Sequence, residues 1–222
     1  MRAVVFDFDG VLVDSEPLHF ESLRDCLLEQ GISIDEEEYR DRFLSYDDRE
    51  AIRIALEGRG EPCDPDRLER IAQRKHELFA RVIADVELMP GARELIASLQ
   101  VPLAIASGAV RGEIETILDA TGIRHAFTAV VGADDVSRGK PHPEPYRAAV
   151  ASLVPGVPGL TAEQCLAFED SVAGIASARA AGLKVFAVTT SYPPERLGGA
   201  HRILDGLTGL DGNEARRLFE EH

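Results

Sequence analysis

The stretch Ala3-Val4-Val5-Phe6-Asp7-Phe8-Asp9-Gly10-Val11-Leu12-Val13-Asp14 decides how the rest of the chain is read. Ala3 to Phe6 is an unbroken β-branched and aromatic run, the pattern of a strand buried on both faces, and it ends in two carboxylates and a glycine. Side chains alternate along extended backbone, so Asp7 and Asp9 leave one side while Phe6 and Phe8 take the other. Two carboxylates aimed at one point repel, which raises one pKa unless a divalent cation coordinates their oxygens. A plain strand followed by an Asp-Gly hairpin turn is the competing reading of these residues.

At 222 residues the chain is long enough for one large domain, or for one domain carrying an insertion, around a sizeable core. Cys26, Cys63 and Cys165 are scattered without C-x-x-C spacing, which points to a reducing compartment, the cytoplasm, and away from structural zinc. Asp7 and Asp9 interrupt the first apolar run, so it cannot serve as a signal-peptide core, and no later run approaches the length of a membrane span. No membrane association is expected. Lys and Arg total 24 against 39 Asp and Glu, a formal charge of -15 that repels polyanions, so nucleic acid is not an expected partner. A small anionic substrate stays compatible with that charge, because a bound metal and one well-placed lysine reverse the local field. The expected state is a monomer.

Strand patterns recur at Val101 to Ala106, Phe127 to Val131, Cys165 to Phe168 and Val185 to Val188, and helical patterns lie between them. Alternation on this scale implies right-handed βαβ units: an α/β, Rossmann-like parallel sheet with helices on both faces. From Asp35 to Ala84 the apolar residues instead recur at three and four, as in Leu68, Ile71, Ala72, His76, Phe79 and Val82. A small α-helical domain over 16–84 is therefore expected as an insertion in a core formed by 1–15 and 85–222. Ser15 with Pro17 reads as the start of its first helix, and Asp64-Pro65 opens its last. The acidic run Asp35 to Glu38 reads as a helix N-terminus. The tail from Gly206 carries one final helix.

In parallel α/β sheets, ligands bind beyond the carboxyl ends of the strands, and every anomalous polar cluster here falls at such an end or on a nearby loop. These are Asp7 and Asp9, Ser107 with Gly108, Lys140, and Glu169 with Asp170. Together they hold the parts for phosphoryl transfer. A carboxylate attacks phosphorus, a second carboxyl serves as acid and base, a hydroxyl and backbone N–H groups hold phosphate oxygens, a lysine neutralises charge, and hard oxygen ligands hold Mg²⁺.

The series D-F-D-G-V, I-A-S-G, G-K-P-H-P and F-E-D-S, in this order over nearly the whole chain, resembles the haloacid dehalogenase superfamily. The closest likeness is to the subgroup with a helical cap after the first motif, which includes β-phosphoglucomutase and related phosphatases. The resemblance implies Asp7 as nucleophile and Asp9 as general acid and base, which equips the site to protonate an oxygen leaving group. It implies phosphate binding by Ser107, Gly108 and Lys140. It implies a Mg²⁺ site drawn from Asp7, Asp9 through its backbone carbonyl, Asp170, and Glu169 as a second acid. The implied activity is Mg²⁺-dependent hydrolysis of a small phosphorylated metabolite, a sugar phosphate being one candidate, with His19, Tyr46, Arg49 and Arg53 as cap residues that would meet substrate. Two alternatives stand beside it. Ser15 and His19 reproduce a pattern of the sugar phosphomutases, although the Gly-x-Ser-Arg setting of their cap arginine is broken in Leu44 to Ala51. A catalytically silent binding protein on the same fold is the other, yet this chain keeps every motif acid.

Several of these residues also have plainer roles open to them. Ser107 and Ser171 could cap the helices that follow, Lys140 could be a surface residue, and His142 could only shape its loop. His76 and the three cysteines read as packing residues.

Overall fold

Strand β1, Ala3–Phe6, is fully buried and is the third strand of a six-stranded parallel sheet. A computed structural model of the chain describes residues 1–44 and 46–221. The further strands of this sheet are β4 (Leu103–Ala106), β5 (Phe127–Val131), β6 (Cys165–Glu169), β7 (Lys184–Val188) and β8 (Arg202–Leu204). Their spatial order is β5-β4-β1-β6-β7-β8, every neighbouring pair parallel, as the alternating pattern predicts. A short antiparallel pair, β2 (Val13–Asp14) with β3 (Glu87–Leu88), lies outside it.

The chain divides into two compact units, Met1–Asp14 with Glu87–His222, and Ser15–Val86. In the first, helices α5 (Ala92–Ser98), α6 (Arg111–Ala120), α7 (Glu144–Leu153), α8 (Val172–Ala180) and α9 (Gly212–Glu220) accompany the sheet. One sheet face is built from small side chains, Ala3, Ala104, Ala106, Ala167 and Ala187, with Val5 and Val185 among them. They pack with Tyr146, Ala149 and Leu153 of α7 and Ile175 and Ala178 of α8. Small residues let helix backbones approach the sheet closely. The alternate positions carry rings: Phe6 stacks on Phe168 at 5.1 Å between centroids and meets Phe127 edge-on at 6.2 Å. Such pairs add about 0.5–1.5 kcal/mol each beyond area burial.

Pairing register then fixes the site. Val5 lies beside Ala167 and Phe6 beside Phe168, so Asp7 and Glu169 leave the sheet next to one another, on the face that carries Tyr146. The Asp7 N–H donates to the Phe168 carbonyl at 2.9 Å, extending the ladder one residue past β1. The hairpin reading of Asp9-Gly10 fails here. β1 pairs with β4 and β6, while the Phe8 carbonyl accepts from Leu12 and Val13 N–H groups in a tight loop that leads into β2, whose partner is β3 and not β1.

The second unit contains α1 (Glu16–Leu28), α2 (Glu36–Arg42), α3 (Asp48–Gly58) and α4 (Pro65–Val82) around Leu27, Ile52, Leu56 and Ile71. Asp35, Asp47 and Asp64 cap their helices, accepting from Glu38, Glu50 and Arg67 N–H groups at 2.8, 3.0 and 2.9 Å. Ser15 occupies the corresponding place before α1 but has helical backbone angles, and its side chain accepts no capping bond. The apolar face of α4 also differs from the expected one. His76 is exposed, and Lys75 is buried in the position between Ala72 and Phe79. Cys26 and Cys165 are buried and Cys63 partly so, all with free thiols.

Candidate active site

Asp7, Lys140, Glu169 and Asp170 come together beyond the adjacent carboxyl ends of β1 and β6. Lys140, from the loop between β5 and α7, places Nζ 2.7 Å from Asp7 Oδ1 and 2.6 Å from Glu169 Oε1. The lysine is largely buried, which removes its reading as a surface residue. Its loop is pinned where Ser177 of α8 donates to the His142 carbonyl at 2.6 Å, and His142 Nδ1 accepts from the Glu144 N–H. His142 thus shapes the loop.

Glu169 is the most completely held of these groups. Oε1 accepts from Lys140 and, at 2.9 Å, from the Tyr146 hydroxyl; Oε2 accepts from Asp170 N–H, Ser171 N–H and Ser171 Oγ, each at 3.0 Å. A Cβ at Gly174 would lie 1.7 Å from Oε1, so only glycine lets α8 pass this carboxylate. Ser171 also caps α8 through the Gly174 N–H. Asp170 is held from the other side. Ser191, in the loop after β7, donates to its Oδ2, and a Cβ at Gly10 would fall 2.0 Å from the same oxygen. Gly10 has φ +73°, a second reason for glycine there.

Ser107, directly after β4, is buried and has its Oγ 3.5 Å from Asp9 Oδ2. It does not cap the following helix, because α6 begins only at Arg111 and the Ser107 Oγ accepts from the Ala109 N–H at 3.0 Å. Gly108 is exposed, and a Cβ there would meet nothing within 4 Å, which leaves its backbone approachable. The loop is braced where Asp134 accepts from the Arg111 N–H and the Ala133 N–H donates to the Ala109 carbonyl, both at 2.8 Å.

Electrostatics explains what the cluster lacks. Burial pushes the Asp7 carboxyl well above the usual range, the Glu169 charge adds to this, and Lys140 only partly opposes it. Glu169 is also buried, but the charge and hydrogen bond of Lys140, with the Ser171 and Tyr146 bonds, outweigh burial and hold it below its ordinary value. Asp170 is pushed up to about 6, chiefly by burial, with the Ser191 bond opposing. Burial likewise works against the Lys140 ammonium, yet Asp7 and Glu169 leave its pKa raised.

Oxygens of Asp7, Glu169 and Asp170 all lie within 4.8 Å of one another. Three carboxylates facing one ammonium leave an excess of negative charge in a buried place. An all-oxygen donor set without thiol or imidazole fits a hard divalent cation. The Asp9 side chain is outside this group among the described residues, so a metal role for Asp9 rests on its backbone carbonyl.

The remaining expected substrate-contacting residues belong to the second unit, and the structure does not gather them into one cluster. His19 stacks on Phe79 at 4.3 Å, with Nδ1 2.8 Å from Lys75 Nζ, and Lys75 also lies 2.8 Å from Asp48 Oδ1. Tyr46 is exposed, and Ser45 beside it lies outside the described residues. Arg49 is held by both oxygens of Glu69 at 2.9 and 3.0 Å, and Arg53 pairs with Glu50 and Glu57. No sequence motif marks Lys75, Tyr146 or Ser191. The signals were a lysine on an apolar helix face, a tyrosine in α7 directly after the Lys140 loop, and hydroxyls in Thr189-Thr190-Ser191 directly after β7.

Comparison with known proteins agrees with this geometry. Residues 1–182 match the haloacid dehalogenase-like hydrolase family. A phosphorylated carbohydrates phosphatase from Thermotoga maritima is 33% identical over 188 residues, covering 83% of this chain and 83% of that protein. Protein CbbY from Rhodobacter capsulatus is 32% identical over 202 residues, covering 86% of this chain and 87% of its own. The crystal structure of CbbY from Rhodobacter sphaeroides in complex with phosphate has a TM-score of 0.78 at 29% identity, covering 95% of this chain and 96% of the other. The chain belongs to the haloacid dehalogenase-like hydrolases. No helix among the described residues is long and apolar enough to cross a membrane.

Proposed function

We propose that this hydrolase is a phosphatase that cleaves the monoester of a small phosphorylated metabolite, with a sugar phosphate as the candidate class, through an aspartyl-phosphate on Asp7. The observation that carries this reading is Lys140 Nζ held between Asp7 and Glu169, beside the Asp9–Ser107 pair. The named activity of the Thermotoga relative supports the substrate class.

In this reading an Asp7 oxygen attacks phosphorus while the bond to the ester oxygen breaks, and the Asp9 carboxyl gives its proton to that leaving oxygen. Water then attacks phosphorus, Asp9 takes the water's proton, and the bond to Asp7 breaks, which returns both acids to their starting states. Ser107 Oγ, the backbone after Gly108 and the Lys140 ammonium hold the non-transferred oxygens and balance their charge. Asp7, Asp170 and the Asp9 carbonyl would hold Mg²⁺, with Glu169 the adjacent acid. When bound, the ion supplies the positive charge that the carboxylates and phosphate oxygens lack. The Ser15–Val86 unit is the cap of this scheme and the source of selectivity.

The test is phosphate release from a panel of phosphate esters with Mg²⁺ and with excess chelator. Turnover that survives chelation rejects the metal-dependent scheme. Conversion of β-glucose 1-phosphate to glucose 6-phosphate with little free phosphate, in the presence of bisphosphate primer, rejects hydrolysis in favour of a mutase. The sequence favours hydrolysis, since the Gly-x-Ser-Arg setting of the mutases is broken in Leu44 to Ala51.

A further inference from the structure

We propose that Ser191 is a positioning residue for the cation site, fixing the Asp170 carboxylate in the orientation in which it meets a divalent ion. The proposal rests on the reading of Asp7, Glu169 and Asp170 as that site. Glu169 is the last residue of β6 and is locked by five hydrogen bonds, whereas Asp170 is the first residue beyond the strand. An aspartate carboxylate rotates broadly about its terminal torsion unless something holds it.

Two other strand ends supply that constraint. The loop after β1 brings Gly10 against Asp170 Oδ2, where a Cβ would stand 2.0 Å from the oxygen and 3.1 Å from Ser191 Oγ. The loop after β7 brings the Ser191 hydroxyl, which donates to the same Oδ2. Oδ2 is thereby held by a bond on one side and by backbone on the other, and the rest of the carboxylate has its direction set. A ligand held in place before the ion arrives loses less freedom on binding, and hydrogen-bond partners of metal ligands govern affinity in this way. Ser191 is itself exposed, on the rim of the site, so replacing it takes a hydroxyl from a loop and nothing from the core.

The experiment titrates Mg²⁺ into the full chain by isothermal calorimetry, with wild type, Ser191→Ala, Ser191→Gly and Ser191→Thr compared in the absence of substrate. Ser191→Ala and Ser191→Gly are expected to weaken Mg²⁺ binding by about 10- to 100-fold, the usual cost of losing such a partner. Their circular dichroism without metal should match wild type. Ser191→Thr, which keeps the hydroxyl, is expected to restore affinity. Wild-type affinity in Ser191→Ala or Ser191→Gly overturns the proposal and leaves the cation site standing, and a Ser191→Thr as weak as Ser191→Ala overturns the role of the hydroxyl. A wild-type chain that takes up no Mg²⁺ at millimolar concentration overturns the cation site and the role of Ser191 with it.

Discussion

The Lys140 ammonium stands 2.7 Å from the Asp7 carboxylate at the buried end of the site, and Asp7 and Glu169 share it. A charge so placed cannot be removed without leaving its partners uncompensated. Lys140→Ala is expected to destabilise the protein by ~3–5 kcal/mol in denaturant titrations, as for other broken buried pairs. It should also lower kcat/KM for phosphate esters by roughly 10²–10³-fold, the scale of losing one electrostatic stabiliser. A variant with native stability and turnover would show that the pair is incidental.

Tyr146 tests the other side of the same network. Tyr146→Phe keeps the ring, which lies 5.2 Å from Lys140 Nζ, and removes the hydroxyl bond to Glu169. The expected cost is about 1.5–3 kcal/mol, as for a hydrogen bond to a charged group. Tyr146→Leu should cost more, because ring and hydroxyl leave together from a fully buried position. Equal stabilities of the two variants would place the whole effect in the hydroxyl and contradict a contribution from the ring.

Metal binding should depend on pH in a defined direction. The Asp170 pKa is raised from 3.8 to about 6 by burial, so the folded chain binds this proton more readily than the unfolded chain. For this group, metal-free stability falls as pH rises from the unfolded value to about 6 and stays reduced above it. Mg²⁺ requires the ionised carboxylate and offsets that loss. The rise in unfolding temperature caused by Mg²⁺ should therefore be larger at about pH 7.5 than at about pH 5. Equal increments in scanning fluorimetry at the two values would contradict the assignment.

Lys75 of the second unit is expected to behave differently from Lys140. Its partner Asp48 has a side chain 47% exposed and can return to water when the ammonium is lost. Lys75→Met should then stay within about 1 kcal/mol of wild type, because an apolar chain of similar length fills the same space. Lys75→Ala should cost about 2–3 kcal/mol through the cavity it leaves. Equal losses in both variants would show that the charge itself holds the helices together.

The fold was legible because parallel strands buried on both faces read as short apolar runs, and each of Ala3–Phe6, Leu103–Ala106, Phe127–Val131 and Cys165–Glu169 closes on a helix or loop signal. The sixth strand, Arg202–Leu204, was not, since an edge strand of three residues with one exposed isoleucine has no apolar run to recognise. In the site, Asp7, Asp9, Ser107 and the Glu169-Asp170 pair stood out as polar residues where core strands end. Tyr146 and Ser191 did not, because their relation to Glu169 and Asp170 comes from sheet register and from loops distant in sequence. Lys75 was hidden in a different way. His76 next to it has the more apolar ring, and only packing decides which of two adjacent residues faces inward.

In the proposed scheme Asp7 carries the phosphoryl group and Asp9 moves the proton. With an activated phosphate ester the leaving oxygen hardly needs protonation, whereas hydrolysis of the aspartyl-phosphate still requires a base, an assistance worth on the order of 10²–10⁴-fold. The decisive measurement is the intact mass of Asp9→Ala after mixing with such an ester and Mg²⁺. The account predicts a gain of one phosphoryl group, carried by the peptide containing Asp7 and absent from the Asp7→Asn, Asp9→Ala double variant. An Asp9→Ala protein that turns over with no adduct, together with wild-type turnover in an Asp7→Asn preparation free of deamidation, would contradict it and favour direct attack by water.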